Sequence, residues 1–219
     1  MNFSLDFMLS SLPIILKGLS TTAWVTVLSS LGAAVLGFSW ELLRRSGRTG
    51  GYAMRLLIDL LRSTPILVQI YFLFFVLPYW GVTLPAGLIG VLALSVYYSG
   101  YLAEVFKAGI DGVRAGQFQA AAALGLSRLD TMLLIVAPQM LRNIAAPMGS
   151  YFISILKATP YLAVVAVHEM LGAALDIGSD TFRYAEPMVS VGLIFLALAL
   201  VIAWLVSRLE AHLLAPSKR

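Results

Sequence analysis

Ionisable side chains set inside long apolar stretches are where chemistry is sought first, because a charge in hydrocarbon is costly and is kept for a reason. Arg62 precedes Ser63, Thr64 and Pro65, and Gln69 follows seven residues later, on roughly the same helix face. Pro65 has no N–H, so it frees a backbone carbonyl one turn earlier. The segment reads either as a ligand-binding or gating cation beside Thr64 and Gln69, or as a snorkelling Arg next to a helix–helix hydrogen bond. Glu104 and Lys107, three apart, read as an ion pair along one helix. Arg142 and Asn143 interrupt another apolar run, where Arg142 needs an acidic neighbour or a polar path. Glu169 follows the apolar run 161–167, with His168 beside it as an interfacial neighbour.

These groups do not assemble into a catalytic set. The chain has no cysteine, which excludes thiolate nucleophiles, disulfides and thiolate metal sites. His168 and His212 are far apart, and no metal-ligand cluster or nucleophile–base pair is evident. No Gly-x-x-x-x-Gly-Lys-Ser/Thr phosphate loop occurs, so no ATP hydrolysis, metal site or cofactor is expected in this chain.

The elements that position these residues follow from hydropathy. Of 219 residues, 60% are hydrophobic and 12% charged, against about half and a quarter in soluble domains. Such a chain needs lipid as its solvent. We expect one domain, 1–219, in an all-α polytopic membrane fold of about five transmembrane helices, each needing about 20 apolar residues. The expected spans are 18–40, 56–78, 85–107, 131–151 or beyond, and 187–207. A tight turn over 78–85 contains Pro78, Tyr79, Trp80, Gly81 and Pro85, with its aromatics at the interface. The first twenty residues lack a basic start and a clear cleavage site, so the N-terminus is expected to be retained.

The net charge of +4 is a topology signal. Arg44, Arg45, Arg48 and Arg55 lie in the first loop, with Arg62 just beyond. Lys107, Arg114 and Arg128 flank the loop after the third span, and Arg208, Lys218 and Arg219 follow the last. Cytoplasmic loops collect Lys and Arg, which predicts an outside N-terminus and a cytoplasmic C-terminus. Split among loops, these charges do not form the single basic face of a nucleic-acid binder.

The loop over about 112–130 is the most distinctive. Residues 117–124 are rich in Ala, a strong helix former. Gly125 can supply a left-handed cap, and Ser127 with Asp130 resembles a capping box for the next helix. The small side chains Ala120 to Ala123 would let a partner backbone approach closely. Composition leaves two readings open, a docking helix for a cytoplasmic partner and a plain interfacial connector.

Ordered motifs add more. Gln119-Ala-Ala-Ala-Ala-Leu-Gly125, nine residues, then Ile135-Val-Ala-Pro138 resembles the EAA loop of bacterial ABC-transporter permeases, with Gln119 in place of Glu and Ala137 in place of Leu. Leu61-Arg-Ser-Thr-Pro-Ile-Leu-Val-Gln69, Ser99-Gly-Tyr-Leu-Ala-Glu104, Pro138-Gln-Met-Leu-Arg-Asn-Ile144, Lys157-Ala-Thr159 and Ser179-Asp-Thr-Phe-Arg183 resemble further segments of the polar amino-acid (histidine/glutamine/arginine/opine) uptake permeases. The resemblance runs from about Gly18 to Glu210.

It implies a type I importer permease fold in the bacterial inner membrane. The expected partners are a second permease subunit, the same or related, an ATP-binding-cassette ATPase dimer that binds ATP and Mg, and an external solute-binding protein. Docking would fall to Gly116, Gln119, Ala120, Ala121, Leu124 and Gly125. An amino acid or opine is a zwitterion, so its path needs an anion and a cation or N–H donors. Arg62, Thr64, Gln69, Lys157 and Glu169 are the expected path residues, with Glu169 for the ammonium. Where the family has Lys-Asp-Thr, this chain has Lys157-Ala158-Thr159, one anion fewer, which weighs against a dibasic substrate. Tyr97 and Tyr98 replace smaller residues and either narrow the path or pack. An ion-coupled secondary transporter using Asp59 and Glu104, or a passive pore subunit, is the alternative. The former usually shows internal repeats, and none is seen.

Overall fold

The computed structural model describes residues 3–214; Lys218 and Arg219, part of the basic tail, lie outside them. Among the described residues all regular structure is helical. Helix α1 (Leu5–Arg44) has 40 residues and starts on Ser4, whose Oγ accepts from the Phe7 N–H at 3.3 Å. At 1.5 Å per residue it is about 60 Å long, twice the roughly 30 Å of bilayer hydrocarbon. The expected span 18–40 is therefore only part of it, toward its C-terminal end.

Helix α2 (Arg48–Ser63) and helix α3 (Ile66–Tyr71) meet at a 101° bend. Pro65 cannot continue α2, and Thr64 before it is extended, with ψ 137°. The continuous span expected over 56–78 is thus a broken one. Helix α3 runs on through a π segment (Phe72–Val76) and a 3-10 turn (Leu77–Trp80), and Gly81 at φ 78° reverses the chain, as the 78–85 composition predicts. Helix α4 (Ala86–Asp111) is followed by the short α5 (Ala115–Ala123). Then come α6 (Arg128–Asp130), a π segment (Thr131–Val136) and α7 (Ala137–Ala158) as one span. A 3-10 stretch (Thr159–Val165) leads to α8 (Met170–Thr181), and α9 (Ala185–Leu214) is the last. Four of these helices are long and apolar enough to cross a membrane; the bent α2–α3 pair makes five.

Helices α1 and α4 run parallel, with small residues between them. The hydroxyl of Ser95 donates to the Ser29 carbonyl at 3.4 Å, and the Trp40 indole to Ser99 Oγ at 2.9 Å. A Cβ on Gly37 would lie 2.9 Å from the Ser99 carbonyl oxygen and from Leu102 Cβ. Without a hydrophobic drive between helices in lipid, such close approach is what holds them. Helix α7 is antiparallel to α4: Gly109 seats Ile144 and Met140, and the Tyr98 hydroxyl donates to the Ser154 carbonyl at 3.1 Å. Leu94, Leu102, Ile144, Ile155 and Leu162 fill the core. A second cluster, Ile15, Met170, Ala174, Ile177 and Val191, joins the start of α1 to α8 and α9. Leu31, Val35, Leu193, Leu196 and Leu200 face outward, an apolar exterior suited to lipid. The ends of α1 and α4, with α5 beyond, form the charged end of the bundle.

Candidate functional site

The break between α2 and α3 uses the polar residues around it. Helix geometry would have residue 65 donate to the Leu61 carbonyl; Pro65 cannot. Gln69 Nε2 donates there instead at 3.0 Å, and also to Thr64 Oγ1 at 2.6 Å, while the Thr64 hydroxyl donates to the Leu60 carbonyl at 3.0 Å. Thr64 and Gln69 border a cleft of 420 Å³ that is otherwise apolar, walled by Leu60, Val68, Phe72 and Val96. They stitch the break together.

Arg62 ends α2, 38% exposed, with its guanidinium 5.4 Å from the Tyr101 ring centroid and 4.0 Å from Glu104 Oε1. Glu104 does not pair with Lys107, as expected from local spacing. It takes Arg44 Nη1 at 2.5 Å, and Lys107 turns one helical turn on to Asp111 at 2.7 Å. Arg44 also pairs with Glu41, and Arg45 bridges Glu41 to Asp111. The result is a continuous charge chain, Lys107–Asp111–Arg45–Glu41–Arg44–Glu104–Arg62, across the ends of α1, α2 and α4. Only Glu41 in it is fully buried, at 1% exposure, and two guanidiniums balance it, as a buried charge requires.

Beside Glu104 a cavity of 280 Å³ opens between α4 and α7, its wall mostly apolar (Val105, Ala108, Ile144, Pro147) with Tyr101, Glu104, Asn143 and Tyr151 set into it. Tyr97, Tyr98, Tyr101 and Tyr151 form a connected ring cluster, with centroids 5.1 to 6.5 Å apart. Arg142 is exposed and lies within ion-pair distance of no carboxylate among the described residues, whereas Asn143 faces the cavity.

Glu169 is fully buried and caps α8. Its Oε1 accepts from the Gly172 N–H at 2.7 Å and its Oε2 from the Leu171 N–H at 2.9 Å. Burial raises its carboxyl above the ordinary carboxylate range, against the two backbone donors, which lower it. Both oxygens are committed to the helix terminus, which leaves little for an ammonium. Thr22 Oγ1 accepts from the next N–H, of Met170, at 3.4 Å, and Gly18 lets α1 lie directly on this turn. Lys157, in the last turn of α7, is exposed. Exposed His168 lies 3.5 Å from Asp176. The five expected path residues therefore do not converge: Arg62, Thr64 and Gln69 gather at the break, while Lys157 and Glu169 lie elsewhere.

Helix α5 stands outside the bundle core. Gly116, Gln119, Ala120 and Gly125 are exposed and Leu124 is 79% exposed. Gly125 has φ 70°, the left-handed conformation its position after α5 suggests. Ser127 caps α6 by accepting from the Asp130 N–H at 3.1 Å. Ala121, also expected on the docking face, differs from these in exposure. It is only 2% exposed, because α5 lies on the following π segment with that side.

Two participants were missed. Tyr101 carries the i,i+3 relation to Glu104 and the i,i+4 relation to Tyr97, so α4's polar stripe was readable. Tyr151 joins it from α7, and no local spacing announces that.

The apolar spans, one of them bent and broken, and the short helix outside the bundle define a polytopic membrane protein. The chain belongs to the family of binding-protein-dependent transport system inner membrane components, whose pattern matches residues 33–214. It is 39% identical, over 97% of its length and 92% of the relative's, to a probable amino-acid ABC transporter permease of Sinorhizobium fredii. It is 27% identical, over 97% of its length and 99% of the relative's, to the glutamine transport system permease of Escherichia coli. The crystal structure of an amino acid ABC transporter with histidines superposes with a TM-score of 0.89 at 30% identity, covering 97% of this chain and 100% of that one. The inward-facing MetNI methionine ABC transporter shares the fold, at 14% identity and a TM-score of 0.79 over 96% and 99% of the two chains. This chain is a multi-pass permease of the bacterial inner membrane.

Proposed function

We propose that the chain is one of a pair of permease subunits in an ATP-driven importer of a polar amino acid or related opine. A separate ATPase dimer binds ATP and Mg and docks on α5, and an external solute-binding protein delivers the substrate. The observation that carries the reading is α5 itself. It is a short helix beyond the charged end of the bundle, with exposed Gln119, Ala120 and Leu124, followed by the left-handed Gly125. Small side chains on such a knob let a partner groove close around it. Gln119 offers that partner neutral hydrogen bonds, about half as strong as those of a carboxylate. The charged end is then cytoplasmic, in keeping with the basic loops.

Within this chain the path wall is the cavity of Tyr101, Glu104 and Asn143, with Arg62 at its edge. Glu104 supplies an anion toward an ammonium and Arg62 a cation toward a carboxylate. Thr64 and Gln69 hold the break that presents Arg62, and Lys157, apart from this cavity, is left out of the carboxylate contact. The test is reconstitution in proteoliposomes with candidate ATPase and binding proteins, scanning amino acids and opines for stimulated ATP hydrolysis. Stimulation by a polar amino acid or opine supports the reading. Uptake that proceeds without any ATPase overturns it.

A further inference from the structure

A second opening lies where α1 turns into α2, separated from the α4–α7 cavity by the Arg44–Glu104 ion pair. It has a volume of 630 Å³ and is lined by Arg44, Arg48, Tyr52 and Arg55 over the backbone of Gly47 and Gly51, a size within the range of ligand sites. Its geometry is set by close packing: a Cβ on Gly51 would lie 2.6 Å from the Arg44 carbonyl oxygen. Arg48 and Arg55 are seven residues apart, two turns, and share one face of α2. Arg44 is already held by Glu41 and Glu104. Arg48 and Arg55 have no carboxylate within ion-pair distance among the described residues, Asp59 one turn on included. Two exposed guanidiniums around a cavity are suited to the paired oxygens of a phosphate.

The surroundings decide what carries that phosphate. Trp40, a residue type enriched at the membrane interface, lies one turn before Arg44. Exposed Leu43, Tyr52, Leu56 and Leu60 continue from the opening as an apolar border at 46%, 70%, 59% and 56% exposure. A soluble anion has no use for that border, whereas an acyl chain does. We propose that the α1–α2 pocket binds the phosphodiester headgroup of an anionic phospholipid, with Arg48 and Arg55 on the phosphate and the acyl chains along Leu43, Leu56 and Leu60.

The experiment is native mass spectrometry of the full-length chain, with any subunits that copurify, in neutral detergent with added phosphatidylglycerol or phosphatidylcholine. Phosphatidylglycerol should be retained in preference, and the Arg48→Gln/Arg55→Gln variant should lower its retention by about 30-fold, two basic side chains near a lipid surface being worth roughly that much. The Arg114→Gln/Arg128→Gln variant removes as many charges elsewhere and should retain the lipid as the parent does. Equal retention of the two lipids, or an equal drop in both Gln variants, overturns the site. Should the first Gln variant not fold, Arg48→Lys/Arg55→Lys decides. A weakened preference supports bidentate recognition, and a preference identical to the parent's overturns it. Inorganic phosphate serves as competitor: displacement of phosphatidylglycerol by equimolar phosphate would make this a soluble-anion site and defeat the lipid assignment.

Discussion

The side-chain amide of Gln69 occupies the hydrogen-bonding place that Pro65 leaves empty, 3.0 Å from the carbonyl of Leu61. A bend of 101° is thereby made without an orphaned carbonyl at its inner edge. Gln69→Leu keeps the volume but unpairs the Leu61 carbonyl and strips Thr64 of a donor. We expect it to cost about 1–3 kcal/mol, read as a lowered melting temperature in detergent. An unchanged melting temperature would show that water or lipid replaces the amide.

The charge chain at the bundle end is uneven. Glu41 is buried between two guanidiniums, whereas Asp111 and Lys107 are each 45% exposed. Glu41→Gln should destabilise by about 3–5 kcal/mol, the cost of breaking a buried pair. Lys107→Gln should cost no more than about 1 kcal/mol, as exposed pairs do. Unfolding at low and high salt checks the assignment: the Lys107 effect should fade with salt and the Glu41 effect persist.

Two glycines separate folding from docking. A Cβ on Gly18 would lie 2.7 Å from the backbone of Glu169 and Met170, whereas one on Gly116 would meet nothing within 4 Å. Gly18→Ala should lower the yield of folded protein, and Gly116→Ala should not. Leu124→Asp, at a 79% exposed position, should also fold normally but lose the copurifying ATPase and coupled uptake. Ala121→Trp is expected to fail differently, by prising α5 from the bundle, seen as protease sensitivity of the loop. Full coupling in Leu124→Asp would remove α5 from the docking role.

Glu169 can be assigned by rescue. Glu169→Ala should lose about 1 kcal/mol of capping, and Glu169→Asn, a good cap without charge, should regain most of it. If transport follows stability across the pair, the residue is a cap. A stable Asn variant without substrate-stimulated hydrolysis would restore it to the substrate path.

What hydropathy could show and what it could not divide along a physical line. Long apolar runs identify α1, α4, α7 and α9, since solvent preference is written in every residue. Gly81 and Gly125 marked their turns because only a residue without Cβ takes φ near 70–80° freely. Pro65 pointed only to a freed carbonyl within a span expected to be continuous over 56–78, and the 101° break there was not read from the sequence. Glu104 was assigned to Lys107 by the local i,i+3 rule, but Arg44, sixty residues earlier, took it. Ala121 carries no polarity to tell an inward from an outward face, and the burial of Glu169 comes with α1 crossing its turn at Gly18, which no local spacing announces.

The interlocked glycines and serines of α1 and α4 have a mechanical consequence. Advancing α1 by one residue would bring the bulk of Leu31 toward the place where Gly32 now leaves room for Ser95, so the pair has one seating and moves as a single rigid beam. Any swing that opens one side of the membrane and closes the other must bend elsewhere. The Ser63–Pro65 joint, where the Gln69 amide and the Thr64 hydroxyl stand in for a continuous helical ladder, is the place built to bend.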